Sequence, residues 1–196
     1  MKKIDIGAAV QYGWDSIKKD FWYFVGIAVV YSVLTSVPTF RDDDLGKFGL
    51  LGVVLSAWLT AGFLKLVLSY YDGKKLPFSE LFTQVKYFWR VLGASILVGL
   101  IVLAGFILFI VPGIYLALRL QFTVNLIVDQ DLGIIEAMKK SGELTHGVKW
   151  SLLLFVLTTI GIIILGAIAL GVGIFVAIPI IWLAEIQIYR KLLTAK

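Results

Sequence analysis

Three ionisable side chains stand in stretches that are otherwise apolar: Lys65, Arg119 and Glu185. A charge at the centre of a bilayer costs about 2.5–3.5 kcal/mol, so each needs a counter-ion, water or a route to the surface. Along a helix Lys65 lies ~10 Å before Asp72 and Glu185 ~8 Å before Arg190, whereas Arg119 lies ~15 Å before Asp129. Lys65 can therefore extend to the headgroups, and Arg119 is the deeper cation. Glu185 is expected to pair with Arg119 or Lys65, either as an ion pair that locks a bundle or as part of a substrate or proton path. Arg119 and Thr123 share one helical face, and Gln121 and Asn125 share nearly the opposite one. A helix that is polar on both sides should be surrounded by protein. The candidate intramembrane polar cluster is thus Lys65, Arg119, Gln121, Asn125 and Glu185.

Catalytic constellations are not found in the sequence. His146 is the single histidine and there are no cysteines, which excludes thiolate catalysis, cysteine metal sites and disulfides. No HExxH, Gly-x-Ser-x-Gly or P-loop spacing occurs. Asp129 and Asp131 could offer two carboxylates to a metal, but a turn and a helix cap account for them, with Asp131 capping the helix that follows. No catalytic, metal-binding or cofactor-binding residue is assigned, and a non-enzymatic protein without cofactor is expected.

The elements that hold these residues follow from composition. Of the 196 residues 60% are apolar and the mean hydropathy is +0.94, beyond the range of water-soluble domains. The expected fold is all-α: a polytopic membrane bundle of six transmembrane helices, arranged as three hairpin repeats (4–72, 77–129 and 131–191) within one domain, 1–196. Each repeat opens with an amphipathic helix on the cytoplasmic interface. The pattern F-W-x-x-x-G occurs at Phe21-Trp22 and again at Phe88-Trp89, and Lys149-Trp150 opens a more degenerate copy.

In the first repeat Ile6, Val10, Trp14, Ile17 and Phe21 mark the apolar stripe of an interfacial helix. Spans at about 21–38 and 48–71 follow, joined by a polar outer loop containing Arg41, Asp42-Asp43-Asp44 and Lys47. In the second, Ser79 is placed to cap an amphipathic helix whose stripe is Leu81, Phe82, Val85, Phe88 and Trp89. Its spans, about 88–110 and 113–128, turn at Val111-Pro112-Gly113. In the third, Ile134, Ile135, Met138 and Leu144 are expected to face lipid, with Glu136, Lys139, Lys140 and Glu143 in water. Its spans, about 148–170 and 174–190, turn at Gly171-Val172-Gly173. A turn at Pro179 would leave one span overlong and the next too short.

Lysine and arginine concentrate in 1–20, 72–90, 129–149 and 190–196, which the positive-inside rule assigns to the cytoplasm together with both termini. Met1-Lys2-Lys3 begins basic, but 4–20 is amphipathic rather than a continuous apolar core, so no cleavable signal is expected. The net charge of +5 is spread along this rim and suits anionic lipid headgroups, not nucleic acid. Trp14, Trp22, Trp89 and Trp150 are the expected interfacial anchors. A homo-oligomer is compatible with the pattern.

One stretch carries a family likeness: Pro112-Gly113-Ile114-Tyr115-Leu116-Ala117-Leu118-Arg119-Leu120, then Ile127-Val128-Asp129, Gly133, Glu136-Ala137-Met138-Lys139-Lys140-Ser141, Leu144-Thr145, Gly147 and Trp150. It resembles an uncharacterised prokaryotic six-span membrane family, similar to the membrane domain joined to glycerophosphodiester phosphodiesterases. The resemblance covers about 112–155 well and implies six spans in a prokaryotic inner membrane. The hydrolase domain has no counterpart in the chain, so phosphodiesterase activity is not implied. Membrane organisation or lipid association is the leading functional expectation, and a small-solute or ion path near Arg119 and Glu185 is the alternative.

Overall fold

The computed structural model describes the backbone of residues 4–36, 45–168 and 173–195, and their side chains except those of 34–36 and 45–54. The expected outer loop with Pro38, Arg41 and the three aspartates lies outside the described residues, as do Gly171 and Val172. All regular structure among the described residues is helical. The chain divides into two compact units, one formed by Met1–Val29 with Glu143–Lys196 and the other by Val30–Gly142.

In the first unit, α1 (Ile6–Lys19) starts at Asp5, whose Oδ1 accepts from the Ala8 amide at 2.9 Å, and ends with Lys18 and Lys19. That order satisfies an orphan amide at the positive end of the helix dipole and places cations at the negative end. The face buried against protein is Ala9, Gly13, Ser16 and Ile17; of the expected interfacial stripe, Ile17 is buried and Trp14 and Phe21 are exposed. α1 lies on α10 (Ile174–Thr194), and a Cβ at Gly13 would sit 2.5 Å from the Ile180 carbonyl oxygen. Small residues give the two backbones that approach.

The first part of α2 (Phe21–Ser36) buries Phe24, Ile27 and Ala28. α9 (Lys149–Ile168) packs on α10, with Gly166 against Gly173 and Ala177. Pro179 is inside α10 rather than at a turn, and α10 is buried on several sides.

In the second unit, α3 (Leu45–Tyr71) meets α2 where the Tyr31 and Phe63 rings stand 5.7 Å apart. It then packs on α4 (Glu80–Thr83), α5 (Val85–Leu108) and α7 (Thr123–Gln130). The second amphipathic helix is a single turn. Thr83 Oγ1 and Gln84 Nε2 donate to the Glu80 carboxylate at 2.6 and 2.8 Å, which gathers the chain at Gln84 before α5 begins. Ser79 makes no side-chain cap bond. Leu81 is buried and its carbonyl fills the space that a Cβ would take at Gly62.

The α5–α6 turn is at Phe109, in extended conformation (φ −165°, ψ 158°), two residues before the expected tripeptide. Pro112 lies in the first turn of α6 (Ile110–Leu120), where its missing N–H costs nothing. The arms touch closely: a Cβ at Gly105 would be 3.0 Å from the Gly113 Cα. Three described helical stretches are long and apolar enough to cross a membrane: Val85–Leu108, Ile110–Gln130 and Lys149–Ile168.

Candidate functional site

The expected fourth span is two helices. α6 stops at Leu120 and α7 starts at Thr123, with Phe122 between them at φ −90°, ψ 9°. A helix kinks sharply where a side chain enters its hydrogen-bond ladder, and here Ser141 does so. Its hydroxyl, fully buried, donates to the Arg119 carbonyl at 2.8 Å and accepts from the Phe122 amide at 3.2 Å. Thr123 Oγ1 donates to the Leu120 carbonyl at 2.7 Å. Broken backbone at membrane depth persists only where its freed groups find such partners.

Ser141 is delivered by α8 (Ile134–Leu144), whose buried positions include Ala137, one turn earlier. Next to it, Gly142 leaves room for Arg119: a Cβ there would meet the guanidinium Nε at 2.8 Å. Ile134 lies over Gly93, where a Cβ would be 2.9 Å from its Cδ1. The inner face of α8 is therefore turned toward protein, which corrects the expectation that Ile134 faces lipid. Ile135, Glu136, Lys139 and Glu143 are exposed.

Arg119, Gln121, Thr123 and Asn125 flank the break. Asn125 is 4% exposed, and neither its Nδ2 nor the Gln121 Nε2 has a hydrogen-bond partner. The Trp58 indole N–H on α3, which packs against α7, is buried without one as well. A buried donor left unsatisfied costs about 1–3 kcal/mol. The segment can therefore offer N–H groups to an acceptor that reaches it. Lys65 is half-buried on α3 in the same unit, and Glu185 is half-buried on α10 in the other. Trp22, Trp89 and Trp150 are strongly exposed, and Trp14 is half-exposed.

A second polar feature closes the base of the α5–α6–α7 segment. Asp131, in left-handed conformation at φ 57°, ends α7 rather than capping α8. Its two carboxylate oxygens accept from Lys86 Nζ and Arg90 Nη1, each at 2.6 Å, and Arg90 also donates to its carbonyl at 3.0 Å. The hydrogen bond from Lys86, then that from Arg90, holds the Asp131 carboxyl below its ordinary 3.8. Lys140 Nζ donates to Gln130 Oε1 beside it. Among the described residues there is no group of three histidine, aspartate or glutamate side chains placed to hold a metal.

Sequence reasoning singled out Arg119, Gln121 and Asn125 but not Ser141, Gly142, Trp58 or the Asp131 clasp. The available signals were a Ser-Gly pair of weak helix formers inside an amphipathic stretch, and two cations, Lys86 and Arg90, one turn apart.

Fold and site together define an all-α protein with the long apolar helices of a membrane protein. Residues 106–196, from the α5–α6 turn to the end of the chain, match the family described as "Protein of unknown function (DUF975)". The chain is 29% identical over 152 residues to "Uncharacterized protein Mb2590" of Mycobacterium bovis and to "Uncharacterized protein Rv2560" of Mycobacterium tuberculosis. Each alignment covers 76% of this chain and 45% of the mycobacterial protein. The chain thus spans less than half the length of the curated relatives it matches. No solved structure matches it.

Proposed function

We propose that the protein is a non-enzymatic, multi-pass protein of a bacterial inner membrane that organises or associates with lipid. On this reading three helical hairpins give six spans, both termini are cytoplasmic, and the basic segments meet anionic headgroups. The likeness to the membrane domain joined to glycerophosphodiester phosphodiesterases belongs to the same reading. The observation that carries it is the outward apolar surface. Ile96, Leu100, Leu103 and Ile107 form an exposed stripe on α5, and Leu154, Leu157, Ile164 and Ile168 an exposed face on α9. So much contiguous apolar surface is unfavourable in water and neutral against acyl chains.

A second reading, a small-solute or ion path, is favoured by the α6–α7 break and its unpartnered amides, since discontinuous helices line substrate sites in many transporters. Purification from native membranes followed by lipid mass spectrometry and liposome flux assays separates the two. Enrichment of anionic lipid over the bulk membrane, without solute flux, is expected. Saturable flux abolished by Asn125→Leu would establish the path instead.

A further inference from the structure

The five residues of the α5–α6 turn, Ile107-Leu108-Phe109-Ile110-Val111, are each between 69% and 79% exposed. Tyr115 is the only polar side chain from 96 to 118. Ends of membrane spans ordinarily carry charges or the amphipathic rings of tryptophan and tyrosine at the headgroups, and this turn has neither. Its backbone is partly self-contained. The Phe109 amide donates to the Gly105 carbonyl at 3.0 Å, its carbonyl accepts from Gly113 at 3.2 Å, and Pro112 has no N–H to satisfy. Internal pairing of backbone groups is what hydrocarbon demands.

The far end of the segment fixes the depth. Lys86 and Arg90 on the rising arm are tied to Asp131 after the returning arm, so charges hold both ends at one level, where water or headgroups must be. From Arg90 to Phe109 a helix rises ~28 Å, against a hydrocarbon core of about 30 Å. An ordinary tilt of about 20° shortens that reach. The returning arm is interrupted at Gln121–Phe122.

We infer that the α5–α6 hairpin is a wedge anchored on one side of the membrane by the Asp131 clasp, with its turn immersed in the acyl chains of the opposite leaflet. The partner of this surface is lipid hydrocarbon. The inference deepens the membrane reading above and rests on it, but not on lipid selectivity or the absence of flux.

The chain lacks cysteine, so single-cysteine variants report depth directly. Phe109→Cys, Val111→Cys and, as an exposed control, Lys74→Cys would be reconstituted in phosphatidylcholine–phosphatidylglycerol vesicles with an impermeant maleimide present on both sides. Modification of the two turn variants should be slower than that of Lys74→Cys by about tenfold or more, because the reagent does not enter hydrocarbon, and should become complete in SDS. Bimane attached at either turn position should be quenched by lipids brominated on their acyl chains. Modification at the Lys74→Cys rate would overturn the inference and show a turn that emerges into water. Slow modification without bromolipid quenching would overturn it too, by showing that protein, such as a second copy of the chain, covers the turn. Either failure leaves the lipid-retention and flux results to judge the membrane reading separately. Two turn positions guard against one variant that does not fold.

Discussion

At the residue scale the Ser141 hydroxyl is tightly constrained, because one oxygen bridges two backbone groups on either side of the α6–α7 break. It gives its proton to the Arg119 carbonyl and accepts from the Phe122 amide. Ser141→Ala removes the oxygen and both of its hydrogen bonds to the break. A loss of about 1–3 kcal/mol is expected, the scale of two intramolecular hydrogen bonds, and it would be read as a lower melting temperature in detergent. Ser141→Thr keeps the hydroxyl and adds one methyl, so it should lose less. Equal losses in the two variants would mean that volume, not the hydrogen bonds, is what position 141 supplies. In the sequence, serine at this position stands out only as one residue of the family likeness over Glu136–Ser141. Its role depends on α8 packing against the α6–α7 break, a tertiary relation that no local pattern encodes.

At the element scale the same distinction recurs. Amphipathic α1, the apolar lengths of α5 and α9 and the hairpin near Pro112 were legible because hydrophobic periodicity, uninterrupted apolar length and proline chemistry are local signals. The break at Gln121–Phe122 was not, since Leu120-Gln121-Phe122-Thr123 contains neither glycine nor proline and nothing local ends a helix there. Nor was the protein-facing side of α1 legible, for a related reason: large side chains announce a stripe, but close backbone approach selects Ala9, Gly13 and Ser16. Asp131 looks like an N-cap by type and position, yet the cations across from it decide its conformation.

The Asp131 clasp links α5 to the end of α7, and its charge makes it testable by pH. A carboxyl whose pKa is lower in the folded state stabilises the fold above its unfolded value, and that contribution is lost as pH falls through the folded value. With Asp131 held below 3.8 by Lys86 and then Arg90, the wild-type protein should melt higher than Asp131→Asn from neutral pH down to that region. The difference should close only in stronger acid. A gap unchanged below the lowered carboxyl value would assign the clasp to hydrogen bonds rather than to charge.

At the scale of the whole molecule, the question is which solvent the folded chain meets. On α9, Leu152 and Phe155 are buried while Leu154, Leu157, Ile164 and Leu165 are exposed; in water the second group would be an aggregation surface. Three substitutions on this one helix separate the environments. Leu152→Ala opens a cavity in protein and should cost about 2–5 kcal/mol in any solvent. Leu154→Ala trims a mostly exposed side chain and should shift stability by about 0.5 kcal/mol or less. Leu157→Lys is the discriminating change, because Leu157 lies near the middle of Lys149–Ile168. In water a lysine there would be harmless and would improve solubility. In a bilayer it must carry an ammonium to the depth of the acyl chains, at about 2.5–3.5 kcal/mol on insertion scales. The expected result is a sharp fall in membrane-integrated protein for Leu157→Lys beside near-normal levels for Leu154→Ala. If Leu157→Lys accumulates as well as wild type and fractionates with soluble protein, the exposed faces of α5 and α9 do not meet lipid, and the wedge at Phe109 loses its medium as well.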